Sequence, residues 1–461
     1  MLNHLALKNF KAWKKLDITF GKVTGLFGTN SSGKSSLLQF LLLLKQTKNA
    51  TDRGLVLDFG GPEKYVNLGT FQDMVHGHNT ERQVNFTLQW SLSSTLEVNN
   101  PEGKRTDILF SSDEMGISSA ISQNNKQLHA DFLKYHFSDQ QFSLSPKGDS
   151  RTEYKLTPDT KSSSGKFHFM RTKGRAWALP GPIKNYLFPD QAKTYYKNAN
   201  LLSEFEYEYE YESLMDKIYY LGPLREHPRR EYQWAGAKPA DVGIRGERTI
   251  DAILSATSRT EDRNLGGKTH YKPFESIIAH WLKELSLIHS FRVEEISEGS
   301  NLFRAKVKRD PRSTEVLLTD VGFGVSQVLP ALVLLYYVPE GSIILMEQPE
   351  IHLHPSVQSG LADIILHVSK QRKLQVIVES HSEHLLKRLQ RRVAEDKFST
   401  DFIKLYFCNS YGGQSELHNL KMNLFGEIEN WPTNFFGDEF SEIAAIQDAI
   451  IKKKIKASTN D

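Results

Sequence analysis

Apolar and polar positions alternate over residues 2–8 and again over 16–20, which predicts two short strands around Asn9-Phe10-Lys11. An apolar stretch, Lys22–Phe27, predicts a third strand. It leads into Gly28-Thr29-Asn30-Ser31-Ser32-Gly33-Lys34-Ser35-Ser36, and a leucine-rich run over Ser35–Gln46 predicts a helix behind it. Periodic order then fades. Residues 50–310 mix polar patches, such as Ser91-Leu-Ser-Ser and Lys161-Ser-Ser-Ser-Gly, with apolar pieces. No heptad pattern persists over several repeats, so a long coiled-coil arm is not expected.

Order returns near residue 316. Val316–Leu318 has the pattern of a strand end, Val321–Gln327 of a glycine-containing turn, and Val328–Tyr337 of a buried helix. Gly341–Met346 and Leu374–Val378 are apolar strands. Ser356–Val368 follows the first as a helix, and Ser382–Val393 follows the second as a helix with a basic face. Strands alternating with helices predict an α/β fold with a parallel sheet. One segment of the middle has its own signature. Glu204-Phe-Glu-Tyr-Glu-Tyr-Glu-Tyr-Glu212 alternates strictly, which predicts a strand with one aromatic and one acidic face. Such an acidic face is either solvated or meets a basic partner.

Composition narrows the class. The 461 residues are 39% hydrophobic and 25% charged, which suits a globular protein with a sizeable core of up to about three domains. The 58 basic side chains against 55 acidic ones leave +3, so no global field argues for nucleic acid or a membrane. The apolar runs fall short of the roughly 20 residues a spanning helix needs, and the start of the chain lacks a signal-peptide pattern. One cysteine, Cys408, excludes an internal disulfide and any multi-cysteine zinc site. A cytoplasmic protein is expected.

The chemistry concentrates in two places. Gly28-x-x-x-x-Gly33-Lys34-Ser35 has the phosphate-loop pattern between an apolar strand and a helix. Its glycines let successive N–H groups face phosphate oxygens, and the helix N-terminus adds positive potential. Lys34 is the candidate for the β- and γ-phosphates and Ser35 for Mg²⁺. The second place is Gly341-Ser-Ile-Ile-Leu-Met-Glu347-Gln348-Pro349-Glu350, an apolar strand ending in acids. Glu347 is the candidate to hold Mg²⁺, directly or through water. Hydrolysis at such a site commonly needs a second carboxylate one residue on, and that position is Gln348, whose amide cannot take a proton.

The order of these motifs resembles the ABC-type ATPases of the RecF, SMC and OLD group. The resemblance runs through Asn9-Phe10-Lys11, the phosphate loop, a long insertion, Gly322-Phe-Gly324-Val-Ser326-Gln327, Glu347-Gln-Pro-Glu-Ile-His-Leu-His-Pro355 and Val378-Glu-Ser-His-Ser-Glu-His384. It is nearest to the branch in bacterial antiphage defence operons, such as the ATPase subunits of Septu and PARIS systems. The ending Glu427-Ile-Glu-Asn-Trp431-Pro432-Thr-Asn-Phe-Phe-Gly437 is similar to a small C-terminal domain of that branch. The resemblance implies a P-loop NTPase of the ABC-ATPase head type, with residues 1–50 and 311–410 forming the head. Residues 51–310 would be an insertion that includes the head β-lobe and a mixed subdomain, and residues 411–461 the C-terminal domain.

The resemblance also implies roles. ATP and Mg²⁺ would bind between two copies of the chain, in a head-to-tail dimer or a higher oligomer. The Gly322-Phe-Gly324-Val-Ser326-Gln327 signature of one copy would face the γ-phosphate on the other, with Ser326 either the phosphate-facing hydroxyl or a helix cap. His381 would be the switch histidine, and Gln72 the glutamine that senses Mg²⁺ and γ-phosphate. Glu379, ending its strand before Ser380-His381, is a candidate to replace the carboxylate missing at Gln348. Metal binding by His381 with His384, or by His352 with His354, is the weaker alternative. Arg225 with Arg229 and Arg230, Lys387 with Arg388, Arg391 and Arg392, and the lysines at 452–454 and 456 are candidate DNA-phosphate contacts. Ion pairs and solvated faces are the commoner use of such residues. Some relatives carry a Toprim nuclease after the ATPase, but the residues after His381 hold no such acidic set. The expected function is therefore a slow ATPase switch controlling a separate nuclease or toxin subunit. The alternative is a RecF-like repair ATPase acting on DNA directly.

Overall fold

A computed structural model describes residues 1–99, 108–137, 140–148, 150–160, 169–172, 178–197, 207–265, 270–432, 446–447 and 449–451. The patch at 161–165, the first residues of the Glu/Tyr run, the end of the Trp431–Gly437 motif and the lysines at 452–456 lie outside these.

The strands in chain order are β1 (Leu2–Phe10), β2 (Trp13–Thr19), β3 (Val23–Gly28), β4 (Val84–Asn99), β5 (Ile108–Asn124), β6 (Gln127–Phe137), β7 (Gln140–Lys147) and β8 (Ser150–Thr160). There follow β9 (Ile218–Leu221), β10 (Tyr232–Gln233), β11 (Ser290–Glu295), β12 (Leu302–Lys308), β13 (Val316–Leu317), β14 (Ile343–Glu347), β15 (Gln375–Glu379), β16 (Ile403–Tyr411) and β17 (Gln414–Asn419). The helices are α1 (Lys34–Asn49), α2 (Phe71–Met74), α3 (Asp190–Tyr195), α4 (Tyr207–Asp216) and α5 (Thr249–Ser258). After them come α6 (Phe274–Glu284), α7 (Phe323–Tyr337), α8 (Pro355–Gln371) and α9 (Glu383–Ala394).

The central sheet runs β17-β16-β3-β15-β14-β9, parallel except for β17, which folds back on β16. Its strands are apolar on both faces because both faces are covered. Alternation still sorts them. Ile343, Leu345 and Ile377 enter one core, while Ile344, Met346, Val376 and Val378 enter the other. The first core is closed by a seven-stranded antiparallel sheet, β2-β1-β4-β5-β6-β7-β8, with α1 and α4. The second is closed by α5 to α9. This is an α/β fold whose mostly parallel sheet carries the phosphate-loop sequence between β3 and α1. Residues 51–310 contribute most of the antiparallel sheet and, through β9, one edge of the parallel one. The longest helix among the described residues is the 17-residue α8, so they hold no long coiled-coil arm. None of these helices is long and apolar enough to cross a membrane.

Two local expectations are corrected. The Glu/Tyr run is helical from Tyr207 onward, not extended. Glutamate is a good helix former, and helical spacing puts Tyr207, Tyr211, Leu214 and Met215 into the core together, leaving Tyr209 exposed. Tyr207 packs against Tyr135 and Phe137, and Tyr211 stacks on Tyr186 at 4.6 Å. Glu208 is buried rather than part of a solvated face. It accepts a hydrogen bond from Phe188 N, and burial pushes its pKa up to about 7 despite Lys193 nearby. The second correction concerns α7, which starts at Phe323, inside the expected turn, and continues through Pro330. Burial of Val325, Val328, Leu329 and Leu332 outweighs the poor helix propensity of Gly324.

Candidate nucleotide site

The carboxyl ends of β3, β15 and β14 come together at one edge of the parallel sheet, where Glu347 stands in register with Glu379 and Glu379 with Leu26. Open α/β sheets bind ligands at such an edge. A cavity of about 800 Å³ lies there, bordered by residues 30–36 of the loop, Gln348, Glu379 and His381. The loop conformation depends on two glycines. Gly28 has φ 137° and Gly33, which precedes α1, has φ 93°. A Cβ on Gly28 would lie 2.0 Å from the Cys408 carbonyl oxygen, and one on Gly33 would lie 2.5 Å from Ser415 Oγ. The sequence pattern therefore reflects both backbone handedness and the close passage of β16 and β17.

Lys34 is buried, and its Nζ donates to the carbonyls of Thr29 at 2.7 Å and Gly28 at 3.1 Å. Burial lowers its pKa, and Glu379, 4.0 Å away, opposes that shift. The Ser35 hydroxyl donates to Glu379 Oε2 at 2.7 Å. Burial raises the Glu379 pKa, while Ser35 and Lys34 hold it back. Glu347 is buried beside it and accepts a hydrogen bond from the Tyr220 hydroxyl at 2.8 Å. Burial first, and Glu379 second, push Glu347 up to about 7. Two carboxylates sharing one dry site cannot both ionise cheaply without a cation.

Gln348 has a left-handed φ of 45°, and its N–H donates to the Glu379 carbonyl at 2.8 Å. That twist takes the chain off β14 and sets Gln348 on the cavity wall. Glu350 turns the other way. Its Oε1 accepts from Ser380 Oγ at 2.7 Å and from His381 N at 2.8 Å, which ties the acidic strand end to the histidine segment. His381 stands at the exposed rim, where partial burial and then Lys34 lower its pKa. Arg225 is buried behind the acids and donates to the Glu347 carbonyl at 3.4 Å. Burial lowers its pKa to about 10.

The fold brings Thr29 to Ser36, Glu347, Gln348, Glu379 and His381 together. It does not bring the other expected residues to them. Gln72 is exposed on α2 and borders a different cavity, with Gly69 and Gln123. The turn of α2 is fixed by a capping box between Thr70 and Asp73, and it delivers Asp73, His76 and His78 to the nucleotide-site cavity instead. Gly322, Gly324, Ser326 and Gln327 lie at the start of α7, away from this cavity. Gly322 is the N-cap, so Ser326 is not, and the Ser326 hydroxyl donates back to the Phe323 carbonyl at 2.9 Å. The histidine pairs gather no third ligand. Among the described residues no cluster of three histidine, cysteine or acidic side chains suits a metal, and His354 instead caps α8.

Sequence reasoning missed several contributors, Asp73, His76 and His78 among them. Tyr220 is the hydroxyl partner of Glu347. Lys11, quoted only as part of a motif, borders the cavity and donates to Gln39 Oε1 at 2.5 Å. Gly412 to Gln414, at the tip of the β16–β17 hairpin, form another wall. No local signal links a hairpin near residue 412 to a loop near residue 30. The basic clusters are mostly engaged. Arg388 and Arg392 pair with Asp363, Arg391 and Arg392 with Glu395, Lys387 with Glu383, Arg229 with Glu226, and Arg230 with Asp320.

Residues 23–387 match the family described as "AAA domain, putative AbiEii toxin, Type IV TA system". The chain belongs to this family. Residues 399–446 match a second family, "Protein of unknown function (DUF3696)". Among curated proteins, the DNA replication and repair protein RecF of Lactobacillus acidophilus is 29% identical over 156 residues, covering 31% of this chain and 36% of RecF. The chain thus spans about a third of the length of that relative. Among solved structures, an SMC head bound to the C-winged helix domain of ScpA has a TM-score of 0.43 at 12% identity, covering 91% of this chain and 98% of that one. The SMC head domain from Thermotoga maritima has a TM-score of 0.40 at 11% identity, covering 91% and 99%.

Proposed function

We propose that this AAA-family chain is an ATP-binding switch that hydrolyses ATP slowly and acts in bacterial antiphage defence. The observation that carries the reading is the division of labour among three side chains. Gln348 takes the cavity wall, Glu347 is held by Tyr220, and Glu379 bonds the loop serine. Ser35 and Glu347 would hold Mg²⁺, which prefers such hard oxygen donors, and the crowding of Glu347 with Glu379 would favour its binding. Mg²⁺ supplies charge neutralisation for the phosphates. Lys34 and the loop N–H groups orient the phosphates, and Glu379 accepts the proton of the attacking water. Gln348 orients that water without taking its proton.

A slow head stays closed on ATP for longer, which suits a switch better than a motor. Two copies would meet head to tail, with the exposed start of α7 of each facing the other's phosphates. A trigger would then release or activate a separate nuclease or toxin subunit. The test is mass photometry with and without ATP–Mg²⁺, alongside phosphate release. ATP-dependent assembly with slow release supports the reading, and fast release points to an active machine.

The RecF match favours a second reading, a repair ATPase acting on duplex DNA. The ion pairs that occupy Arg388, Arg391 and Arg392 count against it. Salt-dependent affinity of the isolated chain for duplex DNA would move the balance towards it.

A further inference from the structure

The peptide bond between Glu347 and Gln348 is gripped at both ends. Its N–H, on Gln348, donates to the Glu379 carbonyl at 2.8 Å. Its C=O, on Glu347, accepts from Arg225 Nη2 at 3.4 Å. The orientation of that plane sets how the chain leaves β14, and so places Gln348 on the cavity wall with its left-handed φ of 45°. A residue other than glycine persists in that region only where its surroundings hold it there. The first grip follows from the sheet, because β14 and β15 are in register at Glu347 and Glu379. The second depends on one side chain from the loop after β9.

Stability alone does not account for Arg225. It is 9% exposed, and its Nε and Nη1 have no hydrogen-bond partner among the described residues. A desolvated guanidinium with open donors weakens a core. The backbone of its segment is fixed from the other side. Gly222 N donates to the Ile244 carbonyl and Glu226 N to the Arg245 carbonyl, both at 2.8 Å. Two residues beyond Arg225, the His227 ring meets the Phe323 ring at 5.8 Å, and Arg230 pairs with Asp320 at 2.9 Å. Phe323 is the first residue of α7, and Asp320 lies just before it. One short segment therefore joins the Glu347–Gln348 peptide to the start of α7.

We infer that Arg225 is a positioning residue for hydrolysis, holding the Glu347–Gln348 peptide, and with it the Gln348 amide, in a setting fixed by the start of α7. The inference rests on the ATP reading above. It makes turnover respond to a partner seated on the exposed start of α7, although Arg225, His227, Arg230, Asp320 and Phe323 do not border the nucleotide cavity.

Phosphate release and isothermal titration with ATP–Mg²⁺, both on the full chain, test it. Arg225→Met should slow release about ten- to 100-fold and leave ATP affinity within about twofold. In a Gln348→Ala background the same change should slow release by less than about twofold, because the group it positions is gone. A merely structural loss would be equal in both backgrounds. His227→Ala and Arg230→Ala, on the exposed side of the segment, should each slow release about two- to 30-fold, and they carry the test if Arg225→Met fails to fold. The inference is overturned if Arg225→Met releases phosphate at the natural rate, if His227→Ala and Arg230→Ala both do, or if the Arg225→Met and Gln348→Ala losses multiply. The underlying reading fails separately, and takes this inference with it, if the natural protein does not bind ATP or if Lys34→Ala binds it as well as the natural protein does.

Discussion

The Ser35 hydroxyl donates its 2.7 Å hydrogen bond to Glu379, at the end of β15, while Glu347 on the adjacent strand is held by Tyr220. The strand order explains it. β15 lies between β3 and β14, which sets its carboxylate beside the loop serine, and Glu347 on β14 lies within reach of the same serine. Replacing Glu379 by Gln keeps shape and hydrogen bonding but removes the base. Phosphate release should fall by about 10²–10⁴ while ATP binding survives. Unchanged release from Glu379→Gln would end the idea that Glu379 serves as the base.

Gln348 already lies on the cavity wall, and its backbone is fixed by the Glu379 carbonyl. Gln348→Glu should therefore place a carboxylate where the amide now sits, with little rearrangement. Phosphate release should rise, on the order of 10² if the new carboxylate acts as a general base. A variant no faster than the natural protein would show that slow turnover, if found, has another cause.

Burial raises the Glu347 pKa to about 7, with Glu379 adding to the shift. The folded protein therefore holds a proton that the unfolded chain releases near pH 4.5. The resulting stabilisation is complete below about 4.5 and is lost as pH rises through about 7. Cation binding needs the ionised form, so Mg²⁺-dependent ATP affinity should strengthen between about pH 6 and 8. Tyr220→Phe removes a bond that favours the ionised carboxylate and should shift that profile to higher pH. Glu347→Gln should flatten it. A profile identical in all three proteins would show that another group sets it.

Helix α4 makes a prediction that a strand would not. On a strand, Tyr207, Tyr209 and Tyr211 would share one face. On the helix, Tyr207 and Tyr211 are buried and Tyr209 is 57% exposed. Tyr207→Ala should cost about 3–5 kcal/mol in denaturant unfolding, and Tyr209→Ala less than about 0.5 kcal/mol. Equal losses at both positions would contradict the helix.

A buried lysine offers a check on the fold away from the nucleotide. Lys184 Nζ donates to the carbonyls of Thr47, Lys48 and Ala50 and so closes the C-terminal end of α1. Lys184→Met should cost about 2–3 kcal/mol, because buried carbonyls lose charged partners. Loss of stability without loss of ATP affinity is the expected pair of results.

The sequence by itself determined the elements whose signals are local. The phosphate loop, the apolar strands at 341–346 and 374–378 and their helices were legible because turn chemistry and periodicity act over a few residues. Glu347, Gln348, Glu379 and His381 were legible as candidates because each ends a readable strand. Tertiary structure decided what depends on distant neighbours. It gave Ser35 to Glu379, Tyr220 to Glu347, and the tip at 412–414 to a loop near residue 30. It also left Gln72 outside the cavity and made the alternating run helical from Tyr207 onward. The physical reason is common to all of these. Alternation and spacing fix which side chains share a face, but the sheet order and the burial available on each side fix what that face meets.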